Sequence, residues 1–284
     1  MRICRFDSNR LGLVDGDDVI DVSAALDGLE TVRWPYPSGD ALISNFESLR
    51  PLIGQSAVNG ARIPLSQIEL KSPVANPGKI IGIARNRRNL DKESTPLGQG
   101  AQSRQDGDPV HMFIKANSAL VGPAEGVSLR FPDRRNDPEA ELTLVIGRAG
   151  TDIPREAAMD HVFGYCIGLD MSLRGKESPS SRKSIDSYAV LGPWIVTRDE
   201  LPDPDSVNNS LSINGQLIHE ANTRDFAFDV ATLIAHASTF FTLNPGDVVM
   251  AGTPAISEPV QAGDVIVASF EGIGEMTVPV RAHG

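Results

Sequence analysis

Cysteine is nearly missing from this chain: Cys4 and Cys166 are the only two in 284 residues, far apart and each set in apolar sequence. That argues against a disulfide framework or a cysteine nucleophile, and two buried reduced thiols are the expectation. Positive charge is short as well, with 26 Lys and Arg against 37 Asp and Glu, a formal net charge of −11. Nucleic acid and anionic membrane surfaces repel such a chain at long range, so neither is expected as a partner. An anionic small molecule remains compatible if basic residues gather locally around its site. No apolar run approaches membrane-spanning length, and the opening residues MRICRF lack a basic region followed by an apolar stretch. A cytoplasmic location is expected. A glycine-rich phosphate loop, a dinucleotide fingerprint, zinc-type Cys/His spacing and a Gly-x-Ser-x-Gly elbow are also missing.

What is present is an ordinary globular balance, 40% hydrophobic and 22% charged, in a chain long enough to bury a large core. Residues 1–22 read as short strands around the turn at 15–18, and a helix is expected around 41–52. The segment 71–78, Lys-Ser-Pro-Val-Ala-Asn-Pro-Gly, is rich in Pro and Gly and reads as a boundary. The expected division is a small N-terminal domain, 1–72, and a catalytic domain, 73–284. Strand-like runs follow at 79–83, 112–114, 141–146, 165–170, 194–197, 248–250, 265–270 and 276–280. Two of them are introduced by the similar turns 244–247 and 261–264. One amphipathic helix stands out, with Val230, Leu233, Ile234, Ala237 and Phe241 on one face. Many short strands and few helices predict a mostly β, α+β architecture rather than a doubly wound sheet.

The sharpest local feature is Asp137-Pro138-Glu139-Ala140-Glu141, leading into the apolar run 142–146. Positions i and i+2 of a strand share a side, so Glu139 and Glu141 would lie together and repel unless a cation or proton sits between them. A Glu-x-Glu pair alone is usually a solvated strand end. A further acid, Asp170, closes the apolar run 165–170, and an acid ending a buried strand needs a partner. Three carboxylates without Cys or His favour Mg²⁺, Mn²⁺ or Ca²⁺ over zinc. Such an ion keeps positions open for a chelating 2-oxo acid and acts on its carbonyl as a Lewis acid. Residues 85–109 form a long polar stretch with three glycines that reads as a lid. It opens with Arg85, Arg87 and Arg88, which would attract an anion, and carries Glu93, a candidate base. The segment 174–183 is also basic. Solvated surface charge is the ordinary account of either stretch.

Taken in order, several stretches resemble the fumarylacetoacetate hydrolase family over roughly residues 77–279. They are Lys79-Ile80-Ile81-Gly82-Ile83, residues 113–123, the Glu139/Glu141 strand, Asp170-Met171-Ser172-Leu173-Arg174, Lys183 to Asp186 with 191–195, Asn222-Thr223, Pro245-Gly246-Asp247, Gly252-Thr253-Pro254 and Glu271-Gly272-Ile273-Gly274. The resemblance implies a β-sandwich-like roll behind a small N-terminal domain, in a homodimer, with Mg²⁺ or Mn²⁺ as cofactor. It implies Glu139, Glu141 and Asp170 as metal carboxylates, and Lys183 as a cation that stabilises an enolate. Thr253 matches a residue that binds the substrate carboxylate, Arg174, in the stretch that follows the metal acid Asp170, is expected to bind substrate as well, and Arg88 and Glu93 match lid residues, Arg88 as a substrate contact. This sequence departs from the family at Leu90, which stands where the hydrolases commonly carry a lid histidine, and at Arg87, where a tyrosine is expected. His219, before Asn222-Thr223, offers an imidazole from another side, and His111 is a second candidate, although a structural or exposed histidine is the ordinary reading of both.

The leading expectation is metal-dependent hydrolysis of a C–C bond in an acylpyruvate-like or 2,4-dioxo acid, a small anionic substrate. Decarboxylation or isomerisation of a related 2-oxo acid loses less from Leu90. A binding protein without turnover would need a damaged acid set, and the three acids are intact.

Overall fold

Residues 140–146, Ala-Glu-Leu-Thr-Leu-Val-Ile, are buried at every position. That is the pattern of a strand covered on both faces, and it marks the centre of the molecule. The computed structural model describes residues 1–88, 109–253 and 257–284. Along the chain, β1 (Arg2–Phe6), β2 (Arg10–Asp15) and β3 (Asp18–Asp21) form a meander, followed by α1 (Ala41–Ser44), α2 (Phe46–Asn59), β4 (Arg62–Pro64) and β5 (Leu70–Lys71). Next come β6 (Ile80–Ala84), β7 (His111–Lys115), β8 (Leu120–Val121), β9 (Val127–Leu129), β10 (Asn136–Asp137), β11 (Ala140–Ile146), β12 (Val162–Asp170) and β13 (Ser172–Leu173). The rest is α3 (Pro179–Arg182), β14 (Ala189–Thr197), β15 (Asn208–Ile213), β16 (Gln216–Asn222), α4 (Val230–Phe240), β17 (Val248–Met250), β18 (Val265–Phe270) and β19 (Gly274–Ala282). No helix among the described residues is long and apolar enough to cross a membrane.

The strands form a large sheet ordered β4-β3-β2-β1-β14-β12-β11-β17-β6-β7, a smaller one ordered β16-β15-β18-β19-β9, and the pair β10-β13. The N-terminal meander joins the large sheet directly, Arg2 opposite Val196 and Ile3 opposite Ile195. Hydrophobic residues of both sheets and of α4 meet in one core, including Leu142, Leu144, Tyr165, Ile167, Leu211, Ile266, Phe270 and Ile234. On the meander, α2 buries Phe46, Leu49 and Ile53, positions i, i+3 and i+7. The rings of Phe46 and of Phe163 on β12 pack nearly perpendicular, centroids 4.7 Å apart.

The strands expected from the sequence are there, most extended by one to five residues. The helix expected at 41–52 is two helices. Asp40 caps α1 by accepting from the Leu42 and Ile43 N–H groups, a break follows at Asn45, and α2 continues to Asn59. The two turns read as similar are the same device. Asp247 and Asp264 each accept a backbone N–H three residues back at 2.7 Å, and Gly246 and Gly263 sit at positive φ (87° and 100°). Cys4 and Cys166 are buried free thiols, as expected, and burial pushes the Cys4 thiol up to about 12.

The curl of the large sheet makes the site. Strand β7 lies four spacings from β12 in the strand order, about 19 Å in a flat sheet. Yet the ammonium of Lys115, the last residue of β7, reaches the carboxylate of Asp170 at the end of β12. The roll is confirmed from the other side, where β8, directly after β7, pairs in parallel with β14 at Ala189.

Candidate metal centre

Glu139 precedes β11, Glu141 lies on it opposite Gly168, and Asp170 ends the neighbouring β12. The Asp170 N–H donates to the Glu139 carbonyl at 2.9 Å, which locks the two acidic positions side by side. One carboxylate oxygen from each of the three residues lies within 4.8 Å of the others, and all three residues are buried. Oxygen-only donors at this spacing fit a hard divalent cation and no soft one.

The surrounding charges explain how three acids are held so close. Lys183 donates to Glu139 Oε2 at 2.7 Å and also to Asp170 Oδ2, while Lys115 pairs with Asp170 Oδ1. Arg174 Nη2 donates to Glu139 Oε1 at 2.8 Å. Burial alone would raise the Glu139 carboxyl, but the charges of Lys183 and Arg174 outweigh it and hold it down at about 2. Glu141 stands in the opposite condition. Its one hydrogen-bond donor among the described residues is the Gly252 N–H at 2.8 Å, and burial, reinforced by the Asp170 charge, pushes its carboxyl well above the ordinary range. Burial would likewise lower Lys183, yet the three carboxylates keep its ammonium protonated, whereas burial wins at Lys115 and lowers it.

Among the described residues, four acids (Asp137, Glu139, Glu141, Asp170) and four bases (Lys115, Lys183, Arg135, Arg174) make up this cluster. Fully ionised they sum to zero. A divalent ion would leave the centre two charges positive, which matches a carboxylate carrying an additional enolate charge.

Local sequence dictates the finer placement. The Lys183 ammonium lies 5.0 Å from the centroid of the Phe113 ring, a cation–π contact. That ring occupies the space where a Cβ at position 82 would be, only 2.2 Å from its Cζ, so Gly82 is required. Gly252 has φ of 98°, which turns its N–H toward Glu141 at a conformation that suits glycine. Asn86 is buried and ties the start of the 85–109 segment to the same turn, its amide donating to the Ala251 carbonyl at 2.8 Å and to that of Phe228 at 3.1 Å.

The other expected site residues sit as follows. Thr253 directly follows Gly252 and is half-buried. Arg174 is engaged by acids on both edges of its guanidinium, Asp137 and Glu139. Arg88 is exposed and its Nε donates to the Phe226 carbonyl at 2.7 Å. His219 lies half-buried on β16 opposite Leu211. His111 opens β7 and is exposed. Glu93 and Leu90 lie outside the described residues.

Sequence reading gave no role to Lys115, Asp137 or Asn86. The signal for Lys115 was a lysine closing the apolar run Met112-Phe113-Ile114, where a buried cation needs an acid to meet it. Which acid it meets depends on the roll.

The model of the fumarylacetoacetate hydrolase C-terminal domain matches residues 79–281. A maleylpyruvate hydrolase of Aquipseudomonas alcaligenes is 46% identical over 99% of this chain and 100% of its own. A mitochondrial oxaloacetate tautomerase of Xenopus laevis is 32% identical over 99% of this chain and 90% of its own. Among solved structures, the maleylpyruvate hydrolase of Sphingobium sp. SYK-6, crystallised with manganese(II) and pyruvate, superposes with a TM-score of 0.84 at 38% identity, covering 100% of both chains.

Proposed function

The chain belongs to the fumarylacetoacetate hydrolase family, and from that premise we propose that it is a metal-dependent hydrolase cleaving the C–C bond of an acylpyruvate-like 2,4-dioxo acid. The observation that carries this reading is the meeting of the Glu139, Glu141 and Asp170 oxygens within 4.8 Å, with the Lys183 ammonium against two of the three. Likeness to maleylpyruvate hydrolases makes maleylpyruvate the first substrate to test.

A Mg²⁺ or Mn²⁺ ion bound there supplies Lewis acidity to the 2-oxo acid. Water adds to the acyl carbonyl, the C–C bond breaks, and its electron pair becomes pyruvate enolate, which takes a proton to give pyruvate. Lys183 presents a fixed positive charge toward that enolate, and the Asp170 and Glu139 carboxylates hold the ammonium in place. Thr253, beside the Gly252 N–H, anchors the substrate carboxylate. Arg174, against Glu139, adds positive charge for the incoming anion. Arg88 holds the base of the lid through Phe226, and Glu93 carries the proton transfers. His219 contributes its imidazole from the β15–β16 side. Leu90 removes the partner that Glu93 would have in a His–Glu dyad. This favours a second outcome, tautomerisation or decarboxylation of a 2-oxo acid, which requires no attacking water. Family resemblance supports a homodimer in the cytoplasm, with residues 1–72 as a small N-terminal unit.

An assay of maleylpyruvate and saturated acylpyruvates with Mn²⁺ tests the reading. Release of pyruvate with one equivalent of the second acid is expected. A spectral change or CO₂ release without chain cleavage would replace the hydrolase by the second outcome.

A further inference from the structure

We propose that Asp137 is a positioning residue of the metal centre, acting through Arg174 on Glu139. The inference rests on the centre described above. The Asp137 side chain is fully buried, yet it is not one of the three clustered carboxylates. Its Oδ2 accepts the Arg174 Nε at 2.6 Å, and the Arg135 Nε donates to Oδ1 at 2.8 Å. Nη2 of the same Arg174 guanidinium donates to Glu139 Oε1 at 2.8 Å. One planar cation is thus gripped by a buried acid at Nε and presented to a clustered acid at Nη2.

The backbone makes this grip stiff. Strands β10 and β13 pair Asn136 with Leu173 and Asp137 with Ser172, and the Arg174 N–H donates to the Arg135 carbonyl at 2.8 Å. Arg135 is anchored at its other end, with Nη2 donating to the Ser257 carbonyl at 3.1 Å. Arg174 itself has a side chain one third exposed. Without Asp137 it would be a long, flexible cation at the edge of solvent, free to choose among rotamers. With Asp137 it has one. Glu139 Oε1 is thereby occupied, and Oε2 is turned to Lys183 and the Asp170 side. Asp137 therefore decides which Glu139 oxygen faces the cluster, through a cation it never shares with the metal.

The test is Mn²⁺ affinity of the full chain, read from free Mn²⁺ by electron paramagnetic resonance, so that turnover is not needed. Asp137→Asn keeps the shape and removes the charge that aligns Arg174. We expect a 10- to 100-fold weaker Mn²⁺ dissociation constant, the usual effect of removing a residue that orients a metal ligand. Arg174→Gln should weaken it equally, and the double variant should lose no more than either single. A simple loss of negative charge would instead weaken Mn²⁺ additively in the Arg174→Gln background, and that outcome overturns the relay, as does wild-type affinity in Asp137→Asn. If Asp137→Asn does not fold, Arg174→Gln decides alone: wild-type Mn²⁺ affinity there removes the link to Glu139. Glu141→Ala separates this inference from the reading beneath it. Mn²⁺ retained by Glu141→Ala removes the centre itself, whereas loss there with intact binding in Asp137→Asn removes only the relay.

Discussion

Among the described residues, carboxylates are buried around the 39–40 and 244–247 turns and in the acidic cluster, and by opposite means. Where the 39–40 turn meets the 244–247 turn, Asp40 accepts four backbone N–H groups, those of Leu42, Ile43, Ala75 and Asn76, at 2.8–3.3 Å. Asp247 accepts the Lys79 and Asn244 N–H groups and pairs with the Lys79 ammonium at 2.7 Å. Each of their oxygens accepts at least one rigid backbone N–H, so these acids bind segments of chain together. In the centre, Glu141 accepts a single backbone N–H among the described residues, and its neighbours are two more acids and the ends of flexible lysines. Equal burial with so few fixed donors leaves the Glu141 carboxylate poorly solvated by the protein, the condition in which a bound cation would stabilise it. The contrast teaches that burial of an acid is uninformative until its donors are counted.

The sharpest way to break that contrast is to exchange the expected outcomes. Glu141→Gln should abolish Mn²⁺ binding and turnover, by at least about 10³-fold, while leaving the unfolding midpoint of the metal-free protein unchanged or higher, because its carboxylate is disfavoured by burial. A lower midpoint in urea would show that Glu141 is structural after all. Lys183→Met should lower kcat by about 10²- to 10³-fold, the range for losing one stabilising donor at a developing oxyanion. Steady-state kinetics with saturating Mn²⁺ would check it, and an unchanged kcat would leave the enolate without its cation.

Asp247→Ala should do the reverse of Glu141→Gln, costing about 2–4 kcal/mol of stability through stranded N–H groups while leaving Mn²⁺ affinity of the folded fraction intact. Urea titration with and without Mn²⁺ distinguishes the two effects. Proton linkage sharpens the comparison further. A divalent ion needs the Glu141 carboxylate, whose pKa is raised by burial and by Asp170, so uptake releases a proton at any pH below that raised value. Affinity should therefore rise with pH, by up to about tenfold per unit, and level off once Glu141 is ionised. Glu139, held at about 2, is ionised throughout and adds nothing to the slope. Calorimetry in buffers of different ionisation enthalpy would count the proton, and an affinity independent of pH would contradict it. The smallest effect is expected from Leu90→His, a rise in hydrolysis of a few-fold up to about 10²-fold if the absent imidazole limits the rate.

The meeting of the three acids was legible because much of it is local. Glu139 and Glu141 stand two apart before a strand, and Asp170 closes the next apolar run, so strand periodicity alone set two of the acids on one side. Chemistry of the donor set then narrowed the cation. Lys115 was not legible in the same way, for it lies 55 residues before Asp170 and meets it only because the sheet rolls. The split of the 41–52 helix at Asn45 was missed because Asp40 is spent at once as the cap of α1 and as the acceptor of Ala75 and Asn76, a long-range demand that no helical period displays.

By itself, then, the sequence determined the mostly β architecture, the buried thiols, the apolar face of α4 and the three acids, all consequences of short-range periodicity or composition. Only the tertiary structure decided which cation answers which acid, that Arg174 is held between Asp137 and Glu139, and that, among the described residues, Glu141 keeps one backbone donor where Asp247 has two. The reason is physical: charge balance in a low-dielectric interior depends on distances across strands, and those distances exist only once the sheet has closed on itself.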